Sequence, residues 1–363
     1  MPFGSRGFSS AAPILPVFPR MATQAPAFQE AHLGERPIRD LGLSIAGTEL
    51  EPVIAELEGE IAAAGIRRVR PRFYLSTEWG VPFGTVAIAI PFYLARPELT
   101  ALHAERTGHV EGAGRRELLR YLRHEMGHVV NYAYRLYERE RWVQRFGPIT
   151  RPYREEYRPK PFSRRYVRHL PGWYAQKHPD EDWAETFAVW MTPGLDWRAE
   201  YVGWPEALAK LEVCDELMGE VGGAEPLVTA EELDEDVGEI AYTLDQYYRS
   251  WENGGGGEFP PGLDGALRSI FEDWGRPEDS TPAPRRPASE LIRRLARDLP
   301  ADVYRWTGHF PERTRLLLRH LAERADALSQ VYPEDRETPA VLALTTMVTA
   351  LAMNHVHRGS YMP

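Results

Sequence analysis

One stretch constrains this chain more than any other. From 115 to 137, Leu118, Leu122, Met126, Val129, Ala133 and Leu136 recur at steps of three and four, the period of a helix with one buried side. Inside that stretch lies His124-Glu125-Met126-Gly127-His128, preceded by Gly112 and Gly114. Positions i and i+4 of a helix sit one turn apart on the same face. Two imidazoles placed so can grip one Zn²⁺ at about 2.0–2.1 Å each. The carboxylate of Glu125 is then directed at the metal-activated water and can take its proton.

A catalytic zinc site needs a third protein ligand and an open position. The segment His178-Pro179-Asp180-Glu181-Asp182-Trp183-Ala184-Glu185-Thr186-Phe187 offers Glu181 and Glu185, again one helical turn apart. One carboxylate can bind the metal while the other holds a ligand His by its far ring nitrogen. Asp180, Glu181 and Asp182 would also suit a helix N-terminus for dipole reasons alone. Glu181 follows His128 by 181 − 128 = 53 residues, so the two helices must pack side by side.

HEMGH followed by E-x-x-A-E-x-F resembles the gluzincin metallopeptidases, in particular the anthrax lethal factor and clostridial Pro-Pro endopeptidase type. STEWGVPFGTVAIAIPFYLA, HEMGHVVNYAYRLY and RYVRHLPGWYAQKHPDEDWAETFAVWMTP are similar to the bacterial family of putative zinc-binding metallopeptidases. The likeness runs from about Ser76 to 203–212 and does not clearly cover 1–40 or 251–363. It implies Glu181 as the zinc ligand and Glu185 as its outer-shell support; the reverse assignment stays open. It also implies a tyrosine seven residues before the ligand Glu, bonded to the oxyanion, and 181 − 7 = 174 is Tyr174. A phenol O–H suits that task, and a core tyrosine is the plainer alternative. His169 and His178 are expected in structural roles, because Pro179 starts a helix and His178 sits just outside it.

The rest of the chain frames this site. At 363 residues it suits two domains. One cysteine, Cys214, excludes an internal disulfide framework and a thiolate-rich zinc cluster. The formal charge of −10 argues against a generic nucleic-acid or anionic-membrane binder. The longest apolar run, 341–353, falls short of the roughly 18–20 residues of a membrane span, so a buried helix and no membrane partner are expected. Pro13, Pro16 and Pro19 break the apolar N-terminus, which argues against a secretory signal. Residues 1–38 are expected to be a disordered or mis-started tail, with Met21 as the natural initiator, and the protein to be cytoplasmic.

Residues 39–250 are expected to form the metallopeptidase domain, with a helix through Leu50, Val53, Ile54, Leu57 and Ile61, strands at 73–79 and 85–94, and helices at 180–192 and across 205–250. The second strand is either an edge that pairs with substrate or an internal strand buried on both faces. Residues 131–170 carry eleven Lys/Arg and four Asp/Glu, 11 − 4 = +7, and read as a long irregular connection. Residues 251–287 read as a linker region around two Gly- and Pro-rich stretches at 252–262 and 275–287, and 288–363 as a module of three helices.

The expected fold class is α+β: a small mixed sheet, an active-site helix and a C-terminal helical module. The expected function is zinc-dependent hydrolysis of a peptide or protein substrate, with His124, His128 and Glu181 on Zn²⁺, Glu125 as general base and Tyr174 at the oxyanion. Two rivals stand beside it. One is a non-catalytic zinc-stabilised interaction module; the other is a nucleic-acid-associated protease using the basic segment. The C-terminal helices are left for a partner or regulatory role.

Overall fold

A computed structural model describes residues 33–107, 110–153, 157, 159–160, 162–253, 259–260, 262–274 and 284–362. Helices dominate and the sheets are small, which is compatible with an α+β class; where one small mixed sheet was expected, the described residues form a parallel two-stranded sheet and an antiparallel three-stranded one. Most of the expected tail and parts of both linker stretches lie outside the described residues. Residues 33–38 do not behave as a tail. Ile38 is fully buried, and its N–H donates to the carbonyl of Tyr242.

Helix α1 (Leu50–Ala63) buries Leu50, Val53, Ile54, Leu57 and Ile61, the stripe its spacing dictates. Strands β1 (Arg72–Ser76) and β2 (Ala87–Pro91) pair in parallel, from Arg72 opposite Ala87 to Ser76 opposite Pro91. Every residue of β2 is buried. Its outer side is closed too, because Ala89 N–H donates to Gly80 O at 2.8 Å and the adjoining Val86 N–H to Ala230 O. The burial of β2 on both faces matches the second reading of this strand, although β1 is its one strand partner among the described residues and Gly80 meets its other side only through an isolated bridge. Both strands are shorter than expected, and β2 ends at Pro91 because Phe92–Ala95 turn into a 3₁₀ helix.

After α2 (Pro97–Thr107), α3 (Arg115–Ala133) carries the HEMGH residues through the core. The basic connection is not irregular throughout. It holds α4 (Glu140–Phe146), which buries Trp142 and Phe146. Helix α5 (Pro179–Met191) then lies against α3, and α6 (Trp197–Glu200) and α7 (Pro205–Val221) follow. A buried Lys210–Asp182 pair at 2.6 Å ties α7 to the back of α5.

The expectation of helix across 205–250 fails between α7 and α8 (Leu244–Asn253). The acidic run 231–240 lies along the sheet instead. Val237 N–H donates to Leu75 O, and the hydroxyls of Tyr74 and Ser76 donate to Asp234 O. The sheet's own polar groups capture that backbone, which residue spacing does not reveal.

A second apolar core is built by α9 (Leu263–Arg268), α10 (Ala288–Leu295), α11 (Leu299–Thr307), α12 (Pro311–Ala327) and α13 (Glu337–Arg358). Short strands β3 (Glu272–Asp273), β4 (Arg285–Pro287) and β5 (Gln330–Pro333) form an antiparallel sheet beside it, in the order β3-β5-β4. Among the described residues from 288 onward there are thus four α-helices and one strand, β5, where three helices were expected. Helix α13 is longer than its apolar run and is buried on one side only. Ala340, Leu344, Val348 and Leu351 face the core while Leu342 is 69% exposed. By length and composition alone, 334–358 could span a membrane. The lone thiol, Cys214, is fully buried on α7, and burial pushes its pKa well above the ordinary range.

Candidate metal centre

The site is assembled where α3 and α5 cross. Gly127 makes the crossing close: a methyl added there would lie 2.8 Å from Cα of Ala184. Trp183 fixes the rotation of α5 by donating its indole N–H to Gly127 O at 2.8 Å. Gly127 lies between His124 and His128, and Ala184 between Glu181 and Glu185, so this one contact brings the four side chains together.

The start of α5 is equally specific. His178 is the N-cap, its Nδ1 accepting from Asp180 N–H at 3.2 Å, and Pro179 occupies the first helical position. Asp180 and Glu181 therefore fall in the first turn, where the helix dipole favours carboxylates.

Three atoms converge. Nε2 of His124 lies 3.3 Å from Nε2 of His128 and 3.0 Å from Oε2 of Glu181, which is 3.3 Å from Nε2 of His128. These residues form a His/His/Glu group positioned to hold a metal ion, and all three are buried. The far atom of each is engaged elsewhere. Nδ1 of His124 meets Oε1 of Glu185 at 3.0 Å. Nδ1 of His128 lies 3.1 Å from Oδ2 of Asp180. Oε1 of Glu181 accepts from the Tyr153 hydroxyl at 2.7 Å.

Those partners are themselves anchored. Glu185 accepts backbone N–H bonds from His169 and Leu170 at 2.9 Å. Asp180 accepts from Asn131 at 2.7 Å and from the Tyr132 hydroxyl. Asp180 and Tyr153 were not legible in the sequence. Asp180 had a signal, its place beside Glu181, but helix-dipole preference explained it equally well. Tyr153 had none.

The electrostatics favour a cation. Burial works against charge on His124, yet hydrogen bonds to Glu181 and Glu185 lift its pKa to about 9. Burial likewise opposes charge on Glu181, but the two imidazoles hold its carboxyl well below the usual range. Two imidazole nitrogens and one carboxylate oxygen, each turned inward by an outer partner, fit a zinc ion that keeps a further position open.

Glu125 stands beside this group and is 5% exposed. Burial raises its pKa, with partial opposition from His124 and His128. Tyr174 sits with its ring 5.6 Å from the ring of His124 and its hydroxyl 3.5 Å from that of Tyr153. The turn before it takes left-handed backbone at Gly172 (φ 80) and at Trp173 (φ 54). For a residue as bulky as Trp, that is a strained conformation at the edge of the site. Burial holds the Tyr174 phenol protonated, well above its ordinary range, with Glu181 adding to the shift. His169 is kept neutral by burial, its pKa lowered to about 4, and its Nε2 bonds Arg120 O at 2.8 Å. It braces the Glu185 support rather than facing the metal group.

His124, Glu125, His128, Tyr174 and Glu181 open onto a cavity of about 1410 Å³, which Asp180, Tyr132 and Tyr153 also line and Glu185, Asn131 and His169 do not. Of the basic connection, Arg139 and Arg141 pair with Glu220 and Glu216 of α7, and Arg165 with Glu206.

Comparison with known proteins adds one finding. The family model described as "Putative zinc-binding metallo-peptidase" matches residues 98–197, the stretch from α2 to the start of α6 that contains every residue of this centre. No curated protein and no solved structure matches the chain.

Proposed function

We propose that this protein is a zinc metallopeptidase that hydrolyses peptide bonds with Glu125 as general base, its site being of the gluzincin type. The observation that carries the reading is the buried convergence of His124, His128 and Glu181 with a fourth group, Glu125, that binds none of the three. Zn²⁺ held there supplies a Lewis acid for the substrate carbonyl and acidifies a water. Glu125 accepts the proton of the attacking water and passes it to the leaving amine. Its burial strengthens it as a base relative to an exposed carboxylate. Tyr174, kept protonated, donates to the carbonyl oxygen as negative charge develops on it. Glu185 and Asp180 hold the two imidazoles in the tautomer that turns a lone pair inward.

A purified sample analysed for metal and incubated with a peptide library tests this. The wild type should hold one zinc and cleave library peptides. Glu125→Gln should keep zinc and lose about 10²–10⁴-fold in rate. Cleavage that persists undiminished in Glu125→Gln would remove the case for this mechanism. Zinc binding without turnover of any peptide would favour a zinc-stabilised interaction module.

A further inference from the structure

The cavity is not walled by the metal-site helices alone. Tyr304, Gly308, His309 and Phe310 line it from the C-terminal core. Where the two parts touch, two glycines face each other. A methyl built on Gly308 would lie 2.4 Å from Cα of Gly172, closer than carbon atoms pack without backbone movement. Gly308 ends α11 in left-handed backbone (φ 70), and Gly172 opens the left-handed turn that leads to Tyr174. Gly172 is also held by the Tyr157 hydroxyl, which donates to its carbonyl at 2.8 Å.

A second tether lies across the cavity. The Arg315 guanidinium on α12 donates to the carbonyls of Ala104, at 2.8 Å, and Glu105 in the last turn of α2. The C-terminal core is thus fastened to both flanks of the metal site.

We propose that the C-terminal helical region is a working wall of the substrate cleft and that Gly308 is a positioning residue for Tyr174. This rests on the peptidase reading above. A short turn with two left-handed residues needs backing to keep one arrangement, and Gly308 supplies it at the backbone itself. A reacting group misplaced by about 1 Å can cost about 10²-fold in rate. The wall therefore acts on chemistry through Tyr174.

The test uses the full zinc-loaded chain and two readouts. Gly308→Ala should speed amide hydrogen exchange across 171–176 by about tenfold or more while 179–191 keeps its protection and zinc content is unchanged. It should lower kcat by about 10²-fold, and by less than about 3-fold in the Tyr174→Phe background, because both changes remove one function. Gly194→Ala, at a left-handed glycine (φ 73) in open space, is the control for backbone strain and should leave both readouts near wild type.

Unchanged exchange at 171–176, or a loss that adds in full to that of Tyr174→Phe, overturns the proposal. Should Gly308→Ala not fold, Arg315→Ala loosens the same docking without overlap, and the exchange at 171–176 decides. If the wild type cleaves no peptide, the peptidase reading fails on its own. The exchange arm still decides whether the wall holds the turn.

Discussion

Tyr153 donates to Oε1 of Glu181, and by doing so leaves only Oε2 facing the two imidazoles. A carboxylate free to rotate could offer a cation both oxygens; this one offers one. Tyr153→Phe should keep the fold and lower zinc affinity by about 10–100-fold, the usual cost of losing an outer partner. Competition against a chromogenic chelator reads this directly. An affinity equal to wild type would mean that the contact does nothing for the metal.

The ligand assignment has its own test. His124→Ala, His128→Ala and Glu181→Ala should each strip most of the zinc, whereas Glu185→Gln should only weaken binding. Elemental analysis after gel filtration measures it. Full zinc in Glu181→Ala together with loss in Glu185→Ala would reverse the roles of the two carboxylates.

Gly127 should tolerate no side chain. Its missing Cβ is what lets Ala184 approach, with the Ala184 carbonyl 3.1 Å from the spot a methyl would fill. Gly127→Ala should gain slightly in helix propensity, yet overpacking of about 1–3 kcal/mol should outweigh that gain. Urea unfolding should show a net loss of stability, and zinc affinity should fall with it as α5 is pushed away. A variant as stable as wild type would show that the crossing is soft.

His309 makes the second core sensitive to acid. It is buried, bonded to Thr314 and Tyr361, and its pKa is lowered to about 3 by burial, with His355 and Arg313 adding to the shift. The unfolded chain takes up that proton near pH 6.5 and the folded one does not. Stability from this group is therefore complete above about pH 6.5 and declines as pH falls towards 3, by at most about 1.4 kcal/mol per unit. Chemical unfolding of wild type and His309→Gln between pH 7 and 5 isolates it. The variant should show the shallower slope, and equal slopes would exclude His309 as the cause.

What the sequence disclosed and what it hid divide along a physical line. Helix α5 was legible within about one residue of each end and α3 at its start, since apolar periodicity and the Pro179 and Gly194 punctuation are local signals, whereas the expected end of α3 at 137 overran Ala133 by four residues. With them came His124, Glu125, His128, Glu181 and Glu185. The helix expected through 231–240 was wrong because that segment's hydrogen bonds go to the sheet, a partner some 160 residues away. Asp180 and Tyr153 act through approach in space, which leaves no period. The pairing of Gly172 with Gly308 is of the same kind. Each glycine alone reads as an ordinary helix end or turn, and only the fold shows that they need each other.

Cys214 has a practical consequence. The only thiol of the chain is fully buried, and its pKa is pushed well above the ordinary range, so it is poorly disposed to form the reactive thiolate. A cysteine introduced on the surface would then be the one site that a maleimide or spin label finds, with no background to remove first. Fluorophores or nitroxides placed on α2 and α12 could follow, in the intact molecule, the distance across the cleft as a peptide enters and leaves.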